Sequence, residues 1–223
     1  MDPDRPPRYR VGSVELMVIS DGTFYQDAGV LMGVVPRAVW EPVIGPPSER
    51  NLLPLSLNTL LIRSQGRTIL VDTGIGAKLD ERQRTRFFPG DYGHLLRRLR
   101  GAGVQPEAID AVVNTHLHFD HCGWNTVDLH GRALPTFPRA RYYVRRGEYE
   151  TATHPNERTR ASYLPENFAP LADSGQLELV EGEAAVTPEV RLISTPGHTE
   201  DHQSVVIASG GEVAIYVGDV VQH

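Results

Sequence analysis

Three histidines and an aspartate fall within six residues, His116-Leu117-His118-Phe119-Asp120-His121, in a chain that holds nine histidines altogether. Imidazole and carboxylate at this density make a donor set for zinc, iron, manganese or nickel. The single cysteine, Cys122, offers no thiolate cluster and no intramolecular disulfide. In extended backbone, residues two apart point the same way, so His116 and His118 can share one ion. Asp120 and His121 are neighbours that point differently and can serve a second ion beside the first. Two later turns add donors: Pro196-Gly197-His198 presents an imidazole, and Gly218-Asp219 a carboxylate able to bridge two cations. Each turn alone is unremarkable, but together with the cluster they outline a metal centre.

Those donors need a scaffold that delivers them to one place. The apolar run Ala111–Asn114 leads directly into the histidine cluster, Val190–Ser194 leads into the His198 turn, and Val213–Val217 into Gly218. Each donor group thus follows a strand, where α/β proteins tend to place ligands. Further strands are expected at Val11–Ser20, Arg141–Val144, Leu177–Val180 and Gln203–Ala208. Leu57–Arg63 and Arg67–Asp72 read as a hairpin closed by Ser64-Gln65-Gly66. A helix is predicted from Asp91 as N-cap to about Arg100, with Tyr92, Leu95, Leu96 and Leu99 forming its apolar stripe. Residues 147–171 read as helical pieces broken by Pro155, Pro165 and Pro170.

Between 21 and 56, apolar residues are strung between prolines without clear periodicity. This predicts a substrate-covering loop region or a satellite hydrophobic cluster under the core. Phe24 and Trp40 in this segment, and Trp124 after the histidine cluster, are candidate walls of an apolar substrate pocket. Cys122 reads as a small buried thiol. The mixture of hairpins and crossing helices predicts a single layered α/β domain over 1–223.

Composition limits the partners. With 28 acidic against 22 basic residues, the formal net charge is −6, which gives no basic field to gather nucleic acid. No run of 18 apolar residues is present to make a membrane-spanning helix. The charged, Pro-rich start Met1-Asp2-Pro3-Asp4-Arg5-Pro6-Pro7 lacks the apolar stretch of a signal peptide, so a soluble, cytoplasmic protein is expected.

His-x-His-x-Asp-His at 116–121, Pro-Gly-His at 196–198, Gly-Asp at 218–219 and the earlier Val71-Asp72-Thr73-Gly74 occur in an order that resembles the metallo-β-lactamase superfamily of metallo-hydrolases. The resemblance implies a four-layer αβ/βα sandwich with metals at one edge. It implies two divalent ions, zinc first, with manganese, cobalt or iron as alternatives. By position, His116, His118 and His198 would hold the first ion and Asp120 and His121 the second, with Asp219 bridging both. Asp72 would accept a hydrogen bond from a ligand histidine. The implied activity is hydrolysis of a small ester, lactone or phosphotriester by a metal-held hydroxide, with Asp120 orienting the nucleophile or moving a proton. The substrate would be a small molecule, and a homodimer is compatible with this reading.

Within that superfamily the chain looks most like the lactonase and organophosphate-hydrolase branch. Asp219 at the bridging position argues against β-lactam hydrolysis, and no helical extension for glutathione is present. Lactonases of the superfamily tend to carry a Tyr three residues beyond the bridging Asp, where this sequence has Gln222. Family members continue beyond the point where this sequence stops, at His223, and supply one more histidine to the second ion. From that the expectation is a weak second site and an incomplete C-terminal half. Two other functions stay open at this point: a mononuclear iron persulfide dioxygenase-like oxidoreductase, and an inactive metal-binding remnant.

Overall fold

The computed structural model describes residues 6–221, so Gln222 and His223 lie outside the described residues. A turn at Gly12-Ser13 splits the first expected strand into β1 (Arg8–Val11) and β2 (Val14–Asp27). β2 pairs antiparallel with β3 (Leu52–Ser64) along nearly its whole length, from Glu15 opposite Arg63 to Asp27 opposite Leu52. The connection carries α1 (Ala28–Met32) and α2 (Arg37–Ile44). Residues 21–56 are therefore not an open loop but the distal half of a long hairpin with two short helices at its tip. Trp40, Ala28 and Leu53 are buried together there, with Leu31, Met32 and Ile44 packed on them, which is the satellite cluster.

The expected hairpin follows, β3 turning into β4 (Arg67–Val71). β5 (Gly90–Tyr92) pairs with β2, and α3 (Leu95–Gly101) starts only after it. The helix expected from Asp91 begins late because Asp91 and Tyr92 are held in that ladder. Its cap comes from across the sheet, where Asp21 Oδ1 accepts the Leu95 N–H at 2.8 Å. Next come β6 (Ala111–Val113), α4 (Phe119–Cys122), the hairpin of β7 (Thr126–Leu129) and β8 (Arg132–Pro135), β9 (Arg141–Arg145), α5 (Arg146–Thr153), α6 (Ala169–Asp173) and β10 (Leu177–Val180). The last stretch is all strand: β11 (Ala184–Thr187), β12 (Val190–Ser194), β13 (Gln203–Ser209) and β14 (Glu212–Tyr216).

One sheet has the order β1-β2-β3-β4-β6-β9-β10, with β5 beside β2, and a second has the order β11-β12-β13-β14. Strand alternation sorts the apolar residues between two cores. Leu60, Ile62, Ile69, Val71, Ala111 and Val113 face Val190, Leu192, Val205 and Ile207 of the second sheet. Their neighbours Leu61, Leu70 and Val112 turn the other way, onto Leu95 and Leu99 of α3, Ala152 of α5 and Leu171 of α6. Each such side chain contributes about 1.5–3 kcal/mol when fully buried. Helices thus cover the outer face of the larger sheet, while on the outer face of the smaller one Val213 and Ile215 stand exposed. Among the described residues no helix is long and apolar enough to cross a membrane.

This topology sets up one functional edge. β4 and β6 are parallel neighbours with Val71 opposite Val113, so Asp72 and the segment Asn114-Thr115-His116 leave the sheet side by side. β12 and β14 end in the His198 turn and in Gly218-Asp219.

Candidate metal centre

The strand ends bring His116, His118, His121, His198 and Asp219 into one cluster. Two groups have donor atoms all within 4.8 Å of one another: His116 with His118 and His198, and His116 with His121 and Asp219. In the first, His118 Nδ1 lies 2.9 Å from His198 Nε2, and the three rings sit with centroids 4.6–4.8 Å apart, nearly perpendicular. Asp219 stands between the groups, with Oδ1 3.1 Å from His121 Nε2 and Oδ2 3.4 Å from His198 Nε2. Asp120 lies to the side, its Oδ2 3.7 Å from His121 Nε2.

The donors fit divalent cations on their own chemistry. His116 is wholly buried, yet its Nε2 has no hydrogen-bond partner, a costly state for a polar atom unless a ligand completes it. Burial, reinforced by the neighbouring imidazoles, holds His116 well below the usual histidine range and pushes His118 down to about 3; burial also lowers His198. All three present lone pairs at neutral pH. At His121 burial opposes the charge, but Asp219, Asp120 and Asp72 outweigh it and hold the imidazole well above its ordinary value. Burial and the Asp219 carboxylate push Asp120 up, against the pull of His121.

The supports are equally specific. Asp72 Oδ2 accepts from His121 Nδ1 at 2.9 Å, which leaves Nε2 to face Asp219. The same carboxylate accepts the Thr115 N–H at 2.8 Å, the Thr115 hydroxyl at 2.9 Å and the Tyr216 hydroxyl at 3.2 Å. Thr115 Oγ1 in turn lies 3.0 Å from His116 Nδ1. His202, fully buried, accepts the Asp219 N–H at its Nε2. A side chain at Gly218 would place its Cβ 2.8 Å from that nitrogen, and Gly218 has a φ of +55°, so glycine is required just before Asp219.

A cavity of about 440 Å³ opens beside the cluster, bounded by Asp120, His121 and Asp219 on one side and by Phe24, Leu55 and Ile215 on another. Of the three candidate aromatic walls, Phe24 lines this cavity. Trp40 and Trp124 are corrected: neither lines this cavity. Trp40 is buried at the tip of the β2–β3 hairpin. The Trp124 indole packs in the helix-side core and donates from Nε1 to Asp21 Oδ1 at 2.9 Å, because a buried indole N–H needs an acceptor. Cys122 is buried as expected, its thiol donating to the Leu117 and His118 carbonyls.

Sequence reasoning missed Tyr216, His202, Asp21 and Glu148. None lies within a motif, and their partners are far away in sequence. The one sequence signal among them is that His202 directly precedes the strand expected at Gln203–Ala208, four residues after His198.

Comparison with known proteins supplies the family. The sequence matches the model described as the metallo-beta-lactamase superfamily over residues 52–223. An N-acyl homoserine lactonase of a Bacillus species is 31% identical over 169 residues, 70% of this chain and 60% of that protein. Its counterpart in Bacillus cereus gives the same figures, so the chain spans about 60% of the length of these curated relatives. A solved structure of a probable metal-dependent hydrolase from Staphylococcus aureus superposes with a TM-score of 0.86 at 28% identity, covering 95% of this chain and 75% of that one. The dizinc quorum-quenching lactonase AidC shares the fold, with a TM-score of 0.75 at 23% identity over 97% of this chain and 74% of its own. The chain therefore belongs to the metallo-beta-lactamase superfamily.

Proposed function

We propose that this chain carries the catalytic centre of a metal-dependent hydrolase that opens the ring of N-acyl homoserine lactones. The observation that carries the reading is Asp219, whose two oxygens face one histidine from each donor group at the mouth of a cavity with an apolar wall. The Bacillus lactonases among its relatives point to the same substrate class. In this reading His116, His118 and His198 hold one divalent ion, zinc first, and His121, Asp120 and Asp219 hold a second. Ions bound there supply Lewis acidity and lower the pKa of a water from about 15.7 to about 7.

The rest of the chemistry falls to the chain. Phe24, Leu55 and Ile215 provide the apolar surface on which an acyl chain rests, leaving the polar lactone ring toward Asp120 and Asp219. Asp120, whose Oδ2 lies 3.7 Å from His121 Nε2, takes a proton from the attacking water at that oxygen. It then returns the proton to the alcohol oxygen released by ring opening. Asp72 keeps one His121 proton on Nδ1, so Nε2 is the nitrogen that must give up its proton for an ion to bind there. The mononuclear iron alternative gains nothing from this geometry, because His121 and Asp219 form a second donor group with His116.

The test is a pH-stat assay of ring opening by zinc-loaded protein on N-acyl homoserine lactones of different acyl length, beside aryl esters and phosphotriesters. Turnover highest on the lactones, and lost in Asp120→Asn with metal retained, is expected. Preference for a phosphotriester or ester, or no turnover by protein that holds its metal, would overturn the substrate assignment.

A further inference from the structure

α5 begins immediately after β9 and carries a glutamate, Glu148, that is 1% exposed. Its Oε1 accepts two hydrogen bonds: from the Leu117 backbone N–H at 2.9 Å and from the Tyr163 hydroxyl at 3.1 Å. Leu117 is the residue between His116 and His118. The Tyr163 ring packs on the His118 imidazole with centroids 5.0 Å apart. The neighbouring backbone is tied to the same segment, since Phe119 N–H donates to the Ser162 carbonyl at 2.9 Å.

The other side of Glu148 faces the His198 turn. Burial pushes its carboxyl up, against the pull of the Leu117 N–H and the Tyr163 hydroxyl, while Oε2 and the Thr199 hydroxyl oxygen are both buried without a hydrogen-bond partner among the described residues. Thr199 directly follows His198 in the chain. Asp201 of the same turn lies against the start of α5, so closely that a Cβ at Gly147 would come within 2.1 Å of its Oδ2. Arg145 Nε is 3.8 Å from Asp201 Oδ1. The segment holding two ligand candidates is thus bonded to one buried carboxylate that the hydrolytic scheme does not use, and the turn holding the third packs against the start of the same helix.

We infer that Glu148 is a positioning residue for the His116/His118/His198 site, acting by its hydrogen bonds to Leu117 and Tyr163 from a helix whose start packs against the His198 turn. This rests on the reading of that triad as a metal site. A helix carboxylate buried merely to satisfy Leu117 would affect folding alone. One that fixes the backbone before His118 and the ring packed on it affects metal affinity in protein that is already folded. Partners of this kind around metal ligands typically carry 10–100-fold in affinity.

The experiment is competition titration of metal-free protein with Zn²⁺ against a chromophoric chelator, with the visible spectrum of the Co²⁺ form and the melting point of the metal-free form recorded alongside. Glu148→Gln keeps an oxygen for Leu117 and Tyr163 and removes the charge; Glu148→Ala removes both. Expected is a loss of roughly 10–100-fold in affinity with an altered Co²⁺ spectrum in Glu148→Ala, and return to near wild-type in Glu148→Gln. Wild-type affinity and spectrum in Glu148→Ala would overturn the inference, leaving Glu148 a folding residue. An equal loss in Glu148→Gln would also overturn it, since charge rather than hydrogen bonding would then be responsible. Should Glu148→Ala not fold, Tyr163→Phe takes its place: a weakened site with a shifted spectrum supports the inference, and an unchanged one sinks it. If the wild type binds no metal, the reading of the triad itself fails and the inference falls with it.

Discussion

Replacing Asp72 by Asn tests how the second donor group is built. Asp72 has a φ of +56°, a region that Asn tolerates nearly as well as Asp, so the backbone should survive. Oδ1 is committed to the Thr115 N–H at 2.8 Å, and in the variant the amide oxygen must stay there. The amide nitrogen then takes the place of Oδ2 and presents N–H groups to His121 Nδ1, 2.9 Å away. His121 can meet them only by accepting at Nδ1 and carrying its proton on Nε2. That is the atom 3.1 Å from Asp219 Oδ1, where a cation needs a lone pair. Loss of a partner that fixes a ligand tautomer costs about 10–100-fold in affinity, or about 1.4–2.7 kcal/mol.

The loss should fall on the group containing His121 and spare His118 and His198, which do not touch Asp72. Folding should suffer less: Tyr216 keeps the Asn58 carbonyl at 2.7 Å, so about 1–3 kcal/mol is expected for the one disturbed buried acceptor. Stepwise Zn²⁺ titration against a chelator, with melting of the metal-free protein, separates the two effects. An Asp72→Asn protein that binds two ions with wild-type affinities would refute the tautomer argument.

Other expectations follow from the same geometry. Asp219→Ala should weaken both ions, because its oxygens face His121 and His198; elemental analysis showing one ion fully retained would contradict a bridging role. Stripping the metal with a chelator should lower the melting point, since an ion present at 100 times its Kd adds about 2.7 kcal/mol; equal melting with and without excess Zn²⁺ would tell against a native-state site. Lys78 donates to the Gly123 and Thr126 carbonyls, and burial pushes its ammonium from the usual 10.5 down to about 8. Between those values the unfolded chain binds more protons, so stability relative to Lys78→Met should rise with pH from about 8 to 10.5, by roughly 3 kcal/mol. Denaturant melts of both proteins across that window check the sign. The buried Cys122 thiol, which burial pushes up, should resist a disulfide reagent in native protein and react as one equivalent in denaturant; rapid native labelling would place it elsewhere.

The centre was legible in the sequence to the extent that its donors are local. His116, His118, Asp120 and His121 share six residues, and strand periodicity alone places them at a sheet end. The apolar runs before His198 and Asp219 were legible for the same reason. What escaped was polar burial across the fold. Glu148 sits in a helix whose other residues are mostly polar, so it reads as a solvated face until the fold sets Leu117 against it, 31 residues away. Asp21 looks like a turn residue after a strand. Its carboxylate instead gathers the Leu95, Ile75 and Gly76 N–H groups and the Trp124 indole, up to 103 residues distant. The same bond draws Trp124 into the core and away from the pocket its composition suggested. Residues 21–56 hid their strands because prolines in the α1–α2 tip and Pro54 in β3 break the alternation that β2 and β3 recover only by pairing with each other.

These escaped residues explain how the cluster is held together. Histidine side chains and carboxylates converge there, and on their own they would repel or compete for protons. Burial keeps His116, His118 and His198 neutral, while the carboxylates favour charge on His121. Neither condition would persist if the side chains could turn toward water. Four of these groups are pinned from behind instead: Asp72 on His121, Thr115 on His116, Tyr163 on His118 and the His202 ring on the Asp219 backbone. The pins come from the ends of β4, β6 and β13 and from the segment after α5, and the strands among these pack in the two cores. Affinity for an ion is therefore set by the sheet framework, and pocket walls such as Phe24 of β2 and Leu55 of β3 are free to vary with substrate without disturbing it, whereas Tyr216 of β14, bonded to Asp72, is not.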